Sequence, residues 1–350
     1  MNYLFTECNR FVPHKLSTLN KCDTVAIVNK LRYNCNMKVY EKIDKKTPII
    51  ILLTFLAISS FIALFFLPWE NTKRPKANKI KVTTTIFTVY DFAGKVGKDK
   101  AEVVLILPQG AEPHAFEPKP DDIKRIIESD VFFYVSDEME PWVSKIKNEK
   151  SKAMFVNLSK GIKQRNTNNE ESEENMDPHY WLDLGNARLM TNEISKVFIS
   201  ADPKNSDYFK SNSEILKNNL DKIDNEFAIT LKTCKTKSVY HAGHFAFGYL
   251  ADRYGLTYQA IQGYSPESDA KAQDVASFIN QINLQEIKTV YFEELIDPKV
   301  AKIIASETGA KTLVLNAAHT VSKKESESGI SYSDIMISNL ANLRIGLGCK

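Results

Sequence analysis

A chain of 350 residues with 43% hydrophobic content is long enough for about two ordinary domains with buried cores. Its 46 Lys and Arg against 43 Asp and Glu leave a formal charge of +3, and no basic stripe carries interleaved aromatics, so composition makes no case for nucleic acid.

Residues 1–36 show no clear period and hold three of the five cysteines, Cys8, Cys22 and Cys35. They read as a disordered tail or, because Met37 stands directly ahead of KVYEKIDKK, as sequence upstream of the true start. The run IIILLTFLAISSFIALFFL, residues 49–67, has no charge over 19 positions and is long enough to span a bilayer core as a helix. Residues 37–67 are therefore expected to be a signal-anchor helix, with a cleaved signal peptide as the alternative. Length and the ending FFLPWEN, which lacks a small-residue cleavage site, favour the anchor. Lysines and arginines flank the run on both sides, so charge does not set its orientation. Residues 68–79, PWENTKRPKANK, are polar and broken by prolines, as suits a linker.

An alternation of elements follows. Ile80–Thr85 reads as a β-branched strand feeding a helix, VVLILP as a second strand, PKPDDIKRIIESD as a helix with Asp121 and Asp122 in its first turn, and VFFYV as a third strand. The stretch 164–176, QRNTNNEESEENM, is predicted to be a mobile acidic connector. Tyr208, Ile215, Leu216, Leu220, Ile223 and Phe227 then recur at helical spacing, with Asp202 and Pro203 as start signals. That helix, 205–231, is a candidate rigid connector between an N-terminal lobe, 80–204, and a C-terminal lobe, 232–350. In the latter the pattern restarts: strand SVYHA, a helix ending at Gly255, the helix DAKAQDVASFINQINLQ, strand TVYFE, a helix ending at Gly309, strand KTLVLN and a closing helix. The fold class is α/β, two lobes each with a mostly parallel sheet flanked by helices, and ligands of such sheets bind at the carboxyl ends of strands.

Of six histidines, His14 precedes the apolar run, and His114, His179, His241, His244 and His319 follow it. One buried histidine is more often a hydrogen-bonded structural residue than a ligand. Several near strand exits in both lobes point instead to a divalent metal, because neutral imidazole is the commonest protein metal ligand. No HExxH or paired CxxC is present, so the spacing itself is not diagnostic. Cys234 and Cys349 are the two cysteines beyond the apolar run; if that part is exported they can form a disulfide, the alternative being two unrelated thiols.

The ordered set TTIFTVYDFAGKV, LPQGAEPHAFEPKPDDI, DPHYWLD, HFAFGYLADRYGL, FEELIDPKVAKIIASETGAK and YSDIMISNLANLRIGL resembles the zinc- and manganese-type solute-binding proteins of ABC transporters over roughly residues 80–349. The resemblance implies two α/β lobes joined by one long helix, with a divalent metal buried between them and handed to a membrane permease. It implies His114, His179 and His244 as ligands, with Phe247 and Tyr249 as packed positions and His241 as a neighbour. The fourth position departs from the family's usual carboxylate; in VLNAAHTVSKKE the strong donor is His319, with solvent as its competitor. Glu294 matches an acid that supports the ligand shell, and Glu112 and Glu117 are further candidates to hold a ligating ring. An imidazole-rich set favours zinc over manganese, which prefers oxygen donors. The expected protein is a monomeric, non-enzymatic zinc receptor on the extracytoplasmic face, anchored by its N-terminal helix or periplasmic if the leader is cut. The alternatives are an adhesin-like surface protein with a structural metal and a mononuclear zinc hydrolase with an open water position.

Overall fold

The structure, a computed structural model, describes residues 52–59, 79–147, 150–165, 176–264, 271–295 and 299–350. The predicted tail 1–36, most of the apolar run and linker, and residues 166–175 of the acidic connector lie outside the described residues. The chain divides into two units, 1–75 and 76–350. In the first, residues 52–59 form a helix whose Leu52, Leu53, Phe55, Leu56 and Ile58 side chains are exposed. Among the described residues no helix is long and apolar enough to cross a membrane.

The second unit contains two four-stranded parallel sheets. The first joins β1 (Ile80–Thr84), β2 (Ala101–Leu105), β3 (Val131–Tyr134) and β4 (Met154–Asn157) in the order β2-β1-β3-β4. The second joins β5 (Ser238–His241), β6 (Thr257–Ala260), β7 (Thr289–Glu293) and β8 (Lys311–Leu315) in the order β6-β5-β7-β8, the same topology repeated. Helices α1 (Phe87–Gly97), α2 (Pro120–Glu128) and α3 (Val143–Ile146) accompany the first sheet. Helices α6 (Gly248–Tyr254), α7 (Ala272–Leu284), α8 (Lys299–Thr308), α9 (Lys323–Ser328) and α10 (Tyr332–Gly346) accompany the second. Between the sheets run α4 (Leu184–Ala201) and α5 (Ser206–Lys232), the latter about 40 Å long at helical rise.

Strand parity sorts the core. In VFFYV, Val131, Phe133 and Val135 enter a central cluster shared by both halves, whereas Phe132 and Tyr134 enter an outer cluster with Ile126, Trp142 and Val143. In the second sheet Val239 and Tyr291 face the central cluster, and Tyr240 and Val290 face a separate outer cluster with Phe278 and Ile304. Helix α5 presents Phe209, Leu216, Leu220, Ile223, Phe227 and Leu231 to that central cluster, and it packs against α1, α4 and α10. The predicted face was close to this stripe, but Phe209 replaces Tyr208 as the buried residue and Ile215 is 60% exposed. Asp202 and Pro203 do not start α5 directly: Asp202 closes α4, Pro203–Asn205 make a 3-10 turn, and α5 follows. Beyond the C-terminal end of α5, Cys234 meets Cys349 with sulfurs 1.95 Å apart, so the structure brings together the two cysteines singled out in the sequence.

Candidate metal centre

Each histidine is held by a different local device. His114 lies between β2 and α2, where Pro108 and Pro113 carbonyls accept the N–H groups of Ala111 and Phe116 and so wind the segment into two turns. Gly110, at φ +73°, supplies a left-handed position that glycine takes without strain. Its N–H donates to Val321 O at 3.0 Å and Thr320 Oγ1 at 3.1 Å, so the loop after β8 grips the His114 loop. His179 is fixed by Asp177, whose Oδ1 accepts both the His179 N–H at 3.0 Å and Nδ1 at 2.9 Å, an Asx-type turn around Pro178. His244 follows β5; Glu293 Oε1, at the end of β7, accepts its backbone N–H at 2.6 Å and its Nδ1 at 2.7 Å. Gly243 leaves room for that carboxylate, because a Cβ there would lie 2.1 Å from Glu293 Oε1 and 2.8 Å from His241 Cε1.

With both Nδ1 atoms donating to carboxylates, the Nε2 atoms of His179 and His244 carry lone pairs, and these converge. His114 Nε2 is 3.1 Å and His244 Nε2 3.2 Å from His179 Nε2, and the ligand atoms of all three lie within 4.8 Å of one another. A tetrahedral ion with bonds of about 2.05 Å to nitrogen separates its donors by about 3.3 Å, so the two separations from His179 fit a zinc-type shell. When both rings are neutral their Nε2 lone pairs face one another, an opposition that either a proton on His244 or a metal cation resolves. No carboxylate belongs to the group of three, which suits a borderline ion better than a hard, oxygen-seeking one.

The surroundings enforce neutrality on most of the set. Burial, followed by the neighbouring histidines, holds His114 and His179 well below the ordinary range of histidine. Burial and then His244 bring His319 down to about 3. His244 behaves oppositely: burial disfavours its charge, but the Glu293 carboxylate outweighs burial and raises it, and in return His244 draws Glu293 down to about 2. Asp177 is pushed up to about 7 by burial, against its hydrogen bond from His179 and the charge of Arg165.

His319 is buried beside the three, its ring centre 6.0 Å from that of His244, and its Nδ1 has no hydrogen-bond partner. It is outside the tight group of three. Its loop is clamped by the first half of the unit: Phe87 N–H donates to His319 O, Thr88 Oγ1 to Ala318 O and Trp181 Nε1 to Ala317 O, at 2.9, 2.7 and 2.7 Å. His241 is a neighbour, as the motif implied, with Nδ1 between Tyr258 OH and His244 O and its ring edge-on to Phe247. Phe247 and Tyr249 are packed. Glu112 Oε1 accepts the His114 N–H at 3.2 Å rather than holding its ring, and Glu117 is exposed.

The acid that holds His244 is Glu293, and the assignment of that role to Glu294 is corrected. Glu293 shares strand parity with Tyr291 and turns inward; Glu294, one residue on, turns away and accepts from Asn316 Nδ2. Parity counted from TVYFE would have found it. Asp177 also went unassigned, although an aspartate two residues before a histidine is an Asx-turn signal.

Residues 82–346 match the family ZnuA, zinc-uptake complex component A, periplasmic. The chain is 38% identical over 287 residues to the high-affinity zinc uptake system protein ZnuA of Bacillus subtilis, spanning 79% of this chain and 90% of the relative. Among solved structures it is similar to the metal-dependent lipoprotein YcdH of Bacillus subtilis, with a TM-score of 0.68 and 38% identity over 77% of this chain and 100% of that one. It is also similar to Zn(II)-bound AdcA of Streptococcus pneumoniae, with a TM-score of 0.69 and 30% identity over 77% of this chain, and it spans 58% of the AdcA chain.

Proposed function

The chain belongs to the family of the periplasmic zinc-uptake component A, and from that premise we propose that it captures zinc outside the cytoplasm and delivers it to the permease of an ABC importer. His114, His179 and His244 bind the ion, and His319 supplies the fourth donor. The observation that carries the reading is the convergence of three histidines, with the His114 and His244 Nε2 atoms 3.1 and 3.2 Å from that of His179 and the Nδ1 atoms of His179 and His244 on buried carboxylates. A four-nitrogen shell leaves no open water position, so the site holds and transfers its ion rather than activating a nucleophile. Glu293 and Asp177 offset the double positive charge from just behind the rings.

Residues 37–67 anchor the protein and 68–79 link the anchor to the receptor. The uncharged run 49–67, the exposed apolar side chains on 52–59 and the lipoprotein relative support a membrane-attached receptor.

Metal content of the purified full-length protein tests the site. One zinc per chain is expected in the parent, lost in His114→Ala, His179→Ala and His244→Ala and weakened in His319→Ala; zinc retained in all four variants overturns the assignment. Zinc accumulation by cells at limiting external zinc, with the His179→Ala chain replacing the parent, tests delivery.

A further inference from the structure

Arg165 stands where the acidic connector leaves the first half of the unit, and it touches both histidine-bearing segments. On its own side, Arg165 O accepts the Asp177 N–H at 3.0 Å, and Arg165 Nη1 lies 3.5 Å from Asp177 Oδ2, the oxygen that His179 does not use. On the opposite side, Arg165 Nε donates to Asp252 Oδ2 at 2.5 Å and Arg165 N donates to Tyr249 OH at 2.8 Å. The guanidinium also sits 5.4 Å from the centre of the Phe245 ring, next in sequence to His244. These contacts run along the segment that leads from His244 into α6.

The space for this cation is specific. A Cβ on Gly248 would come within 2.5 Å of Arg165 Nη1 and 2.8 Å of the Phe245 ring, so the first residue of α6 is bare where the guanidinium lies. The neighbouring Arg253 points the other way and ties α6 to Asp183 and Asp224. Helix α6 is thus fastened on one side toward α4 and α5, and on the other to the carboxylate that orients His179.

We propose that Arg165 is the latch of the metal cleft: by bridging Asp177 and Asp252 it holds the His179 and His244 segments together and sets how fast a captured zinc ion escapes. The inference rests on the reading of the histidine cluster as the zinc site. Arg165 is a positioning residue, since it touches the partner of a ligand and not the ion. An ion pair that spans two segments resists their separation, so its loss falls on the dissociation rate more than on association.

The test uses the full-length protein loaded with zinc and mixed rapidly with excess chromogenic chelator. Arg165→Gln is expected to speed zinc dissociation by roughly tenfold or more with association changed less than about twofold. Asp252→Asn, at a side chain 60% exposed, is expected to speed it in the same direction without threatening the fold. Arg165→Lys should restore part of the effect. A parental dissociation rate in Arg165→Gln, or in Asp252→Asn should the former not fold, overturns the latch. Hydrogen exchange of the metal-free protein separates this failure from failure of the zinc reading. Amides 244–254 should lose protection in Arg165→Gln whether or not zinc binds the parent, and unchanged protection there also overturns the proposal.

Discussion

Replacing Glu293 by Gln separates the oriented-histidine account from a generic electrostatic one. Glu293 is buried, and its Oε1 receives two hydrogen bonds from His244, at 2.6 and 2.7 Å. A hydrogen bond to a charged acceptor contributes about 1.5–3 kcal/mol, and a Gln can keep one neutral bond but not the charge, so the net loss is about 2 kcal/mol. That corresponds to roughly 30-fold in Kd, within the range of about 10–100-fold typical when the partner of a metal-ligating histidine is changed. Glu294→Gln, one residue away, should change the affinity by no more than about twofold, because Glu294 bonds to Asn316 and touches no ligating ring. Competition against a chromogenic chelator at pH 7.5 measures both variants. An Glu293→Gln affinity within about twofold of the parent, or an equal loss in Glu294→Gln, refutes the reasoning.

Gly243→Ala should abolish tight zinc binding without any backbone penalty of its own, because the new Cβ would stand 2.1 Å from Glu293 Oε1 and drive the carboxylate off His244; near-parental affinity would show that the contact is dispensable. Changing Cys234 and Cys349 together to Ala should lower stability by up to about 5 kcal/mol, the loop-closure value for a separation of 115 residues, read as a lower denaturant midpoint. Mass shifts on alkylation, with and without reductant, check the pairing itself. Glu140 gives a pH dependence. Burial pushes its carboxyl from 4.5 to about 7 against hydrogen bonds from Ser136 and Val135. The folded state therefore binds its proton more tightly, and the resulting stabilisation, at most about 3 kcal/mol, is present below pH 4.5 and lost as pH rises through 7. Glu140→Gln should flatten the slope of stability against pH over that window, whatever its effect on the absolute level; an unchanged slope would falsify the assignment.

The elements legible in the sequence were those with strong local periodicity. The central strands and the stripe on α5 could be read almost residue by residue. Two strands had no counterpart in the reading, β4 and β6, each four residues long, partly exposed and at a sheet edge, so neither alternation nor a continuous apolar run marks them. Helix α4 is different, because its signal was present: Leu184, Ala187, Met190, Ile194, Val197 and Phe198 recur at three- and four-residue spacing. Asp183 also caps the first turn by accepting from Gly185 N at 2.6 Å. At the site, the segments carrying His114, His179 and His244 were visible through their motifs. That their Nε2 atoms meet was not, since residues 65 apart in sequence approach only through tertiary packing. The Glu294 expectation failed for a smaller reason, one residue of strand parity.

The division of labour between the halves explains why such a site can both hold and surrender an ion. Each half supplies the partner of its own histidine: Asp177 holds His179 within the first, and Glu293 holds His244 within the second. Only the packing of the two halves brings the Nε2 atoms of His179 and His244 to 3.2 Å. An ion that binds the folded protein and not the unfolded chain adds about 2.7 kcal/mol of stability at a hundredfold its Kd. Parting the halves splits the donors, two to a side if His319 joins His244 and His114 joins His179, and neither pair alone closes a tetrahedral shell. On the proposed reading, separation of the two prebuilt pairs releases the ion, and a contact that resists that separation governs how long it stays.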